Sequence, residues 1–231
     1  MYAFNESVWI ADGNAVPFFT LPYTTRMTVV ILPDGKLWVH SPIELTTELA
    51  EAVNALGEVS YLIAPNHLHH LFVAQWQQAY PNATTFGTKE VIHKRSDLHF
   101  DDELTSSSDY PWQPAIEQLL FTGSKAMQEC VFFHPETRTL ILTDLIENFP
   151  ADSFKPWQRV IAKSAGVMAP SGKTPLDWRL SFYLNKPEAR RHIEHILSWE
   201  PQTIVLAHGE LITQDAVAFL RRAFSWLKPG S

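Results

Sequence analysis

Three histidines fall within four consecutive positions in Ala64-Pro65-Asn66-His67-Leu68-His69-His70, and imidazoles gathered so closely are candidate metal ligands. Two other ionisable side chains stand in comparable places. Asp144 directly follows Thr139-Leu140-Ile141-Leu142-Thr143, and His208 directly follows Thr203-Ile204-Val205-Leu206-Ala207. Each residue also has an ordinary alternative: the histidines can cap the helix that follows them, and Asp144 can cap a turn.

The elements that carry these residues read as strands. Val59-Ser60-Tyr61-Leu62-Ile63 is apolar and β-rich, and Pro65 forbids its simple continuation, so the histidines sit on a turn at its C-terminal end. The runs before Asp144 and His208 have the same short, buried-strand character. In open α/β sheets the ligand crevice lies outside the carboxyl ends of the strands, so three such ends can bring His and Asp to one rim. Gly209 permits the tight turn that aims His208 inward.

The chain has 231 residues and no Gly/Ser- or Pro-rich linker, which predicts one domain spanning 1–231. Hydrophobic residues at 45% and charged residues at 19% describe a globular protein with material for a sizeable core. A net charge of -7 and the absence of a Lys/Arg stripe argue against nucleic acid as a partner, and the patch His93-Lys94-Arg95 reads as a solvated helix end. The single cysteine, Cys130, excludes an intrachain disulfide or a Cys-rich zinc cluster and suits the reducing cytoplasm. Residues Met1 to Ala11 show no signal-peptide pattern, and no run reaches the roughly 18 apolar residues of a membrane span.

Taken in order, the pattern predicts a strand at Ser7–Ala11, a loop from Asp12 to Pro22, and a hairpin of Arg26–Leu32 and Lys36–His40 turned by Pro33-Asp34-Gly35. A helix over 46–56, with Thr46 or Thr47 as N-cap, leads to the Val59 strand. Next come a short helix over 71–80, a strand at 84–86, a helix over 88–95, and an exposed polar loop from Ser96 to Pro114. Strands at 118–121, 129–133 and 138–143 form a second β block, with His134 in an exposed hairpin turn. Helices at 157–165, 187–199 and 213–227 complete the pattern around the Thr203 strand. This order suggests a sheet-on-sheet core with helices outside.

Several of these features together resemble the metallo-β-lactamase-like hydrolases. They are the hairpin with Asp34-Gly35, the helix-then-Gly57 step, the His cluster, Pro81-Asn82-Ala83, Leu142-Thr143-Asp144, and Ala207-His208-Gly209 before the last helix. More narrowly, Ser41-Pro42-Ile43, Ala64-Pro65-Asn66, His69-His70-Leu71 and Ala207-His208-Gly209-Glu210 look like an uncharacterised branch of that superfamily. The resemblance implies an αββα sandwich. It also exposes losses: the usual HxHxDH signature has Pro65 at its first histidine and His69 at its aspartate, and no histidine stands near Ser124-Lys125-Ala126. What the resemblance then implies is at most one metal, bound by His69, His70, Asp144 and His208, with His67 as a substitute. Such a donor set suits Zn²⁺ first, with Fe²⁺ or Mn²⁺ as alternatives, and disfavours Mg²⁺ or Ca²⁺. Four protein ligands can close a zinc site, in which case it is structural or Asp144 moves aside to act as base.

Three functions remain open on these residues. One is a metal-dependent hydrolase of an ester, lactone, thioester or phosphoester, with lactone and thioester mildly preferred because no basic cradle for phosphate is evident. A second is a non-catalytic binding protein on a degenerate site. The third is a mononuclear iron redox protein. Residues 153–182, with Lys155, Arg159, Lys163, Lys173 and Arg179, are expected to form a pocket wall or lid, or else a solvated surface. Trp157, Trp178 and Trp199 are candidates for the pocket lining or the core, Glu210 is a candidate for orienting a ligand or capping the last helix, and His40, His93, His99, His192 and His195 read as structural.

Overall fold

The side chains of the strands alternate, and the alternation sorts them into layers. In β4 (Lys36–His40), Trp38 faces one way and Leu37 and Val39 the other; in β5 (Glu58–Ala64), Ile63 opposes Val59 and Leu62. The same split occurs in β9 (Glu129–His134), β10 (Thr139–Leu142) and β11 (Thr203–Leu206), where Phe132, Ile141 and Val205 share one face while Val131, Leu140 and Leu206 share the opposite one. Strands apolar on both faces must be covered on both, which requires two sheets face to face with helices outside.

The computed structural model, which describes residues 1–18, 21–107 and 109–227, has that architecture. A seven-stranded sheet runs in the order β1 (Tyr2–Ala3), β2 (Val8–Phe18), β3 (Leu21–Ile31), β4, β5, β6 (Thr84–Gly87), β7 (Asp102–Glu103). It is antiparallel through β4 and parallel from β4 to β7. The second sheet has the order β11-β10-β9-β8, with β8 at Glu117–Phe121. Between the sheets lie Val8, Ile10, Trp38, Ile63, Phe132 and Val205. Outside the first sheet, α1 (Thr47–Asn54) and α2 (Val73–Ala79) cover Leu37, Val39 and Leu62; Thr46 caps α1 through the Leu49 N–H at 3.2 Å. Outside the second, α5 (Leu176–Ser181), α6 (Lys186–Ser198) and α7 (Ala216–Ala223) bury Trp178, Ile193, Ile196 and Leu220 against Leu140 and Leu206. The four-layer αββα sandwich is therefore present. Helix α3 (Lys89–Lys94) follows β6, and α4 (Pro156–Ala165) packs with Phe149, Phe154 and Val167 beside the sandwich.

Three expectations are corrected. The stretch expected as a loop from Asp12 to Pro22 is instead ribbon: β2 and β3 pair from Val8↔Val30 to Phe18↔Leu21, with an irregularity between Gly13 and Val16. Its Asp, Gly, Asn and Pro have turn chemistry, but continuous pairing overrides it, and Arg26 Nε donates to Asp12 Oδ1 at 2.6 Å across the ribbon. Phe19 and Thr20 of that expected loop, like Ser108 of the later one, lie outside the described residues. The segment from Ser96 to Pro114 is not simply exposed, because Leu104, Tyr110 and Trp112 are buried and the two aromatic rings stack at 4.9 Å. His134 is 1% exposed and ends β9, its Nδ1 bonded to Thr137 Oγ1 at 2.8 Å.

Candidate metal centre

Strand register places two of the candidate donors side by side. β10 and β11 are parallel with Leu142 opposite Leu206, so Asp144 and His208, each two residues further on, emerge together at one sheet end. The Gly209 turn is obligatory: φ is +92° and an added Cβ would collide with the Asn148 carbonyl. His69 arrives from the other sheet on the turn after β5, which is tied across by the Cys130 N–H to Pro65 O at 2.9 Å.

These three side chains meet. Asp144 Oδ1 lies 3.0 Å from His208 Nε2, Asp144 Oδ2 lies 3.2 Å from His69 Nε2, and the two Nε2 atoms are 3.3 Å apart. Four ligands at zinc–nitrogen or zinc–oxygen bond lengths of about 2.0–2.1 Å on a tetrahedron are themselves about 3.3 Å apart; the two histidine nitrogens have this spacing, and one atom from each of the three residues lies within 4.8 Å of the others, a donor set that could hold a divalent transition ion. The surroundings orient each donor. His208 Nδ1 donates to Thr24 O at 2.8 Å, which leaves Nε2 directed at Asp144; His69 Nδ1 bonds Ser41 Oγ at 2.5 Å. Ser41 itself is held at φ 54°, a left-handed conformation uncommon for a non-glycine residue.

The Asp144 turn rests on a second carboxylate. Glu129, fully buried, accepts the N–H groups of Thr143, Asp144 and Leu145 at 2.8, 2.8 and 3.0 Å. Asn66 Nδ2 reaches both Asp144 Oδ2 at 2.7 Å and Glu129 Oε2 at 3.1 Å, while its Oδ1 accepts from the His69 N–H. Burial pushes the Asp144 carboxyl up, but His69 and His208 override it and hold it well below the ordinary range. Burial likewise lowers His208, yet Asp144 and then Glu147 raise it on balance. Both Asp144 oxygens are engaged by His208, His69 and Asn66 in this arrangement.

The histidines on either side of this group face elsewhere. His70 Nδ1 accepts from Arg95 Nη1 at 3.2 Å, and a neutral ring accepting there carries its proton on Nε2, which suits it poorly as a ligand. Burial, then Lys94 and Arg95, push His70 down to about 4. His67 Nδ1 bonds Glu90 Oε2 at 3.0 Å, tying the turn to α3. The structure therefore brings together His69, Asp144 and His208, and does not bring His67 or His70 to them. His40 stacks on Trp38 at 5.4 Å and is pushed well below its ordinary value by burial and by His69, a structural role.

The three donors stand at the polar end of a cavity of about 1050 Å³. Residues 153–182 supply much of its wall, including Ile161, Leu176 and Trp178; Trp157 and Trp199 do not line it. Nor do Lys155, Arg159, Lys163, Lys173 or Arg179: Arg159 donates to Phe154 O and Arg179 to Ala165 O, each at 3.0 Å. Two polar residues of the cavity had no sequence signal. Tyr23 OH donates to Glu147 Oε2 at 3.0 Å, and Glu147 is fully buried, pushed up to about 8 by burial first and then by the Asp144 charge, against the lowering effect of His208. The first falls between the expected loop ending at Pro22 and the strand expected from Arg26, and is in fact part of β3; the second lies in irregular chain after β10. Glu129 was visible only as a charge opening an apolar run.

Comparison with known proteins places this geometry. A sequence profile described as a domain of unknown function (DUF4336) matches residues 5–165. No functionally curated protein matches the sequence. Among solved structures, the metallo-β-lactamase DIM-1 superposes with a TM-score of 0.68 at 12% identity, covering 99% of this chain and 96% of that one. The metallo-β-lactamase FIM-1 from Pseudomonas aeruginosa, solved in a mono-zinc form, gives 0.62 at 12% identity over 98% and 95%. Rubredoxin oxygen:oxidoreductase from Desulfovibrio gigas gives 0.68 at 10% identity, covering 98% of this chain and 61% of that protein. Identities this low speak for the fold alone, and with the profile covering most of the chain the conclusion is that the protein belongs to the DUF4336 family, built on the metallo-β-lactamase fold.

Proposed function

We infer that the protein is a metal-dependent hydrolase with one divalent transition ion held by His69, Asp144 and His208, acting on a small ester, lactone or thioester. The observation that carries this reading is the convergence of the three donor atoms within 4.8 Å of one another at the polar end of a large cavity. Zinc is the foremost ion, and iron or manganese accepts the same donors. Such an ion acts as a Lewis acid on a carbonyl oxygen and brings the acidity of water toward neutral pH. The chain's own residues do the rest. Thr24 O and Ser41 Oγ fix the two rings, the Glu129 and Asn66 cradle fixes Asp144, and the Tyr23–Glu147 pair holds a proton beside them where a departing alkoxide needs one. The mono-zinc form of FIM-1 supports a single-ion reading of this fold. A cytoplasmic location is part of the proposal, supported by the lone buried Cys130.

The test is metal content by elemental mass spectrometry of wild type, His69→Ala and His208→Ala under metal-replete conditions, followed by an ester and lactone screen. Near one equivalent in wild type, lost in both variants, with hydrolysis that follows the metal, is the expected result. A wild type that takes up none of the three ions refutes the reading and leaves a non-catalytic binding protein. A second reading has its own support, because two histidines and one carboxylate are also the donor set of mononuclear non-haem iron. Oxygen consumption by the iron-loaded form, absent with zinc, would favour it.

A further inference from the structure

The cavity has two chemically different ends. Buried at one end stand His69, Asp144, Glu147 and His208; toward solvent the lining is aliphatic, with Leu71, Val160, Ile161, Leu176 and Leu180. The outer residues are not merely apolar but bare: Leu71 is 55% exposed, Val160 67%, Ile161 49%, Leu176 42% and Leu180 65%. Single exposed aliphatics are ordinary, whereas five around one opening mark a surface that gains free energy when something apolar covers it. The charges narrow the occupant further. Among the described lining residues the one Lys or Arg is Lys94, and its Nζ is committed to His67 O at 2.8 Å. The lining thus holds no guanidinium and a single ammonium with one of its three N–H groups already donated, which is little for a multiply charged phosphate head group.

We propose that the cavity takes a neutral carboxylic ester, open-chain or lactone, whose aliphatic acyl chain lies along the α4–α5 wall with its carbonyl at the His69–Asp144–His208 end. The proposal rests on the hydrolase reading for its chemistry but not for its binding. It disfavours thioesters of phosphate-bearing carriers, whose several negative charges a single lysine does not match. A volume of about 1050 Å³ is at the upper end of ligand sites, about 300–1,000 Å³, so a two-carbon acyl group leaves most of it unfilled. In the reaction, water gives its hydroxyl to the carbonyl carbon, the bond from that carbon to the alcohol oxygen breaks, and the departing oxygen takes up a proton.

Two measurements separate the parts. First, 1-butanol, 1-hexanol, 1-octanol and 1-decanol are titrated calorimetrically into metal-free protein. Each buried methylene contributes up to about 0.8 kcal/mol, so affinity should tighten by about two- to fourfold per carbon. Second, p-nitrophenyl esters from acetate to decanoate are assayed with zinc-loaded protein, and kcat/KM should rise with chain length. Leu180→Lys and Ile161→Lys, at positions already half in water, should flatten both series; Leu180→Ser serves if either lysine variant fails to fold. Hydrolysis with no dependence on chain length overturns this inference while leaving the hydrolase reading intact. Chain-length-dependent alcohol binding in a protein that takes no metal and hydrolyses nothing supports the ligand class and refutes the hydrolase. Failure of all four alcohols to bind, with a dimer that Leu180→Lys dissociates in sedimentation, would make the apolar rim an interface between copies and overturn the proposal.

Discussion

Glu147 offers a test in which the sign as well as the size is fixed by the structure. Its carboxyl is buried, hydrogen-bonded to Tyr23 OH at 3.0 Å, and pushed from an ordinary value of 4.5 up to about 8, with burial the largest cause. A raised native value means that the folded protein keeps a proton the unfolded chain has released. Stability from this group is therefore fully present below the unfolded value and is lost as pH rises toward 8. Glu147→Gln keeps the shape and removes the titration. Compared in chelator-treated protein, the stability difference between variant and wild type should grow in the variant's favour by about 1.4 kcal/mol per pH unit, or about 3 kcal/mol from pH ~5 to ~7.5. For a chain of this length that is a relative shift in Tm of about 6–12 °C. The assay is urea or thermal unfolding of both proteins at matched pH, followed by circular dichroism. Whatever offset the substitution itself introduces is constant with pH, so only the slope of the difference matters. Two pH profiles that run parallel across this window would refute the burial argument for Glu147.

Other outcomes follow from the same contacts. Saturating zinc at about 100 times its dissociation constant should stabilise the wild type by about 2.7 kcal/mol, a rise in Tm of roughly 5–11 °C by thermal shift, and should leave His208→Ala unmoved. His70→Ala should retain the ion that His69→Ala loses, because His70 Nδ1 is held by Arg95; equal loss in both, read by elemental analysis, would restore the four-ligand set suggested by the sequence. Glu129→Ala strips the acceptor from three buried backbone N–H groups, and should cost at least about 3 kcal/mol in urea unfolding, with less than about 1 kcal/mol counting against the cradle. Gly209→Ala places a Cβ against the Asn148 carbonyl and should abolish metal uptake even where the protein still folds, as read by metal content alongside near-UV circular dichroism.

Much of the fold was legible because local patterns encode it. The alternation of Leu37, Trp38 and Val39, or of Leu140, Ile141 and Leu142, identifies strands covered on both faces, and the Thr46 cap and Gly57 bracket α1. The β2–β3 ribbon was illegible because cross-strand pairing, not composition, holds Asp12, Gly13 and Asn14 in extended chain. The candidate site divides the same way. Asp144 and His208 stand out as charged ends of apolar strands. The choice between His69 and His70 does not, since adjacent residues on a turn point to different sides and only the folded backbone decides which one faces Asp144. Tyr23 and Glu147 are 124 residues apart, and no local spacing announces a contact of that range.

The position of His208 just beyond the outer strand of the four-stranded sheet has a consequence for how the protein comes into being. β11 is an edge strand and the last strand in chain order, and the imidazole that follows it lies 139 residues beyond the one it meets. During synthesis, His69 and Asp144 leave the ribosome well before β11 exists, and one imidazole with one carboxylate grips an ion weakly. Domains generally fold as units as the chain emerges, so firm uptake has to wait for the final strand to dock against β10. On the proposed three-ligand centre, ion loading would report that the sandwich has closed, and a chain stalled or clipped ahead of β11 would lack one of the three ligands.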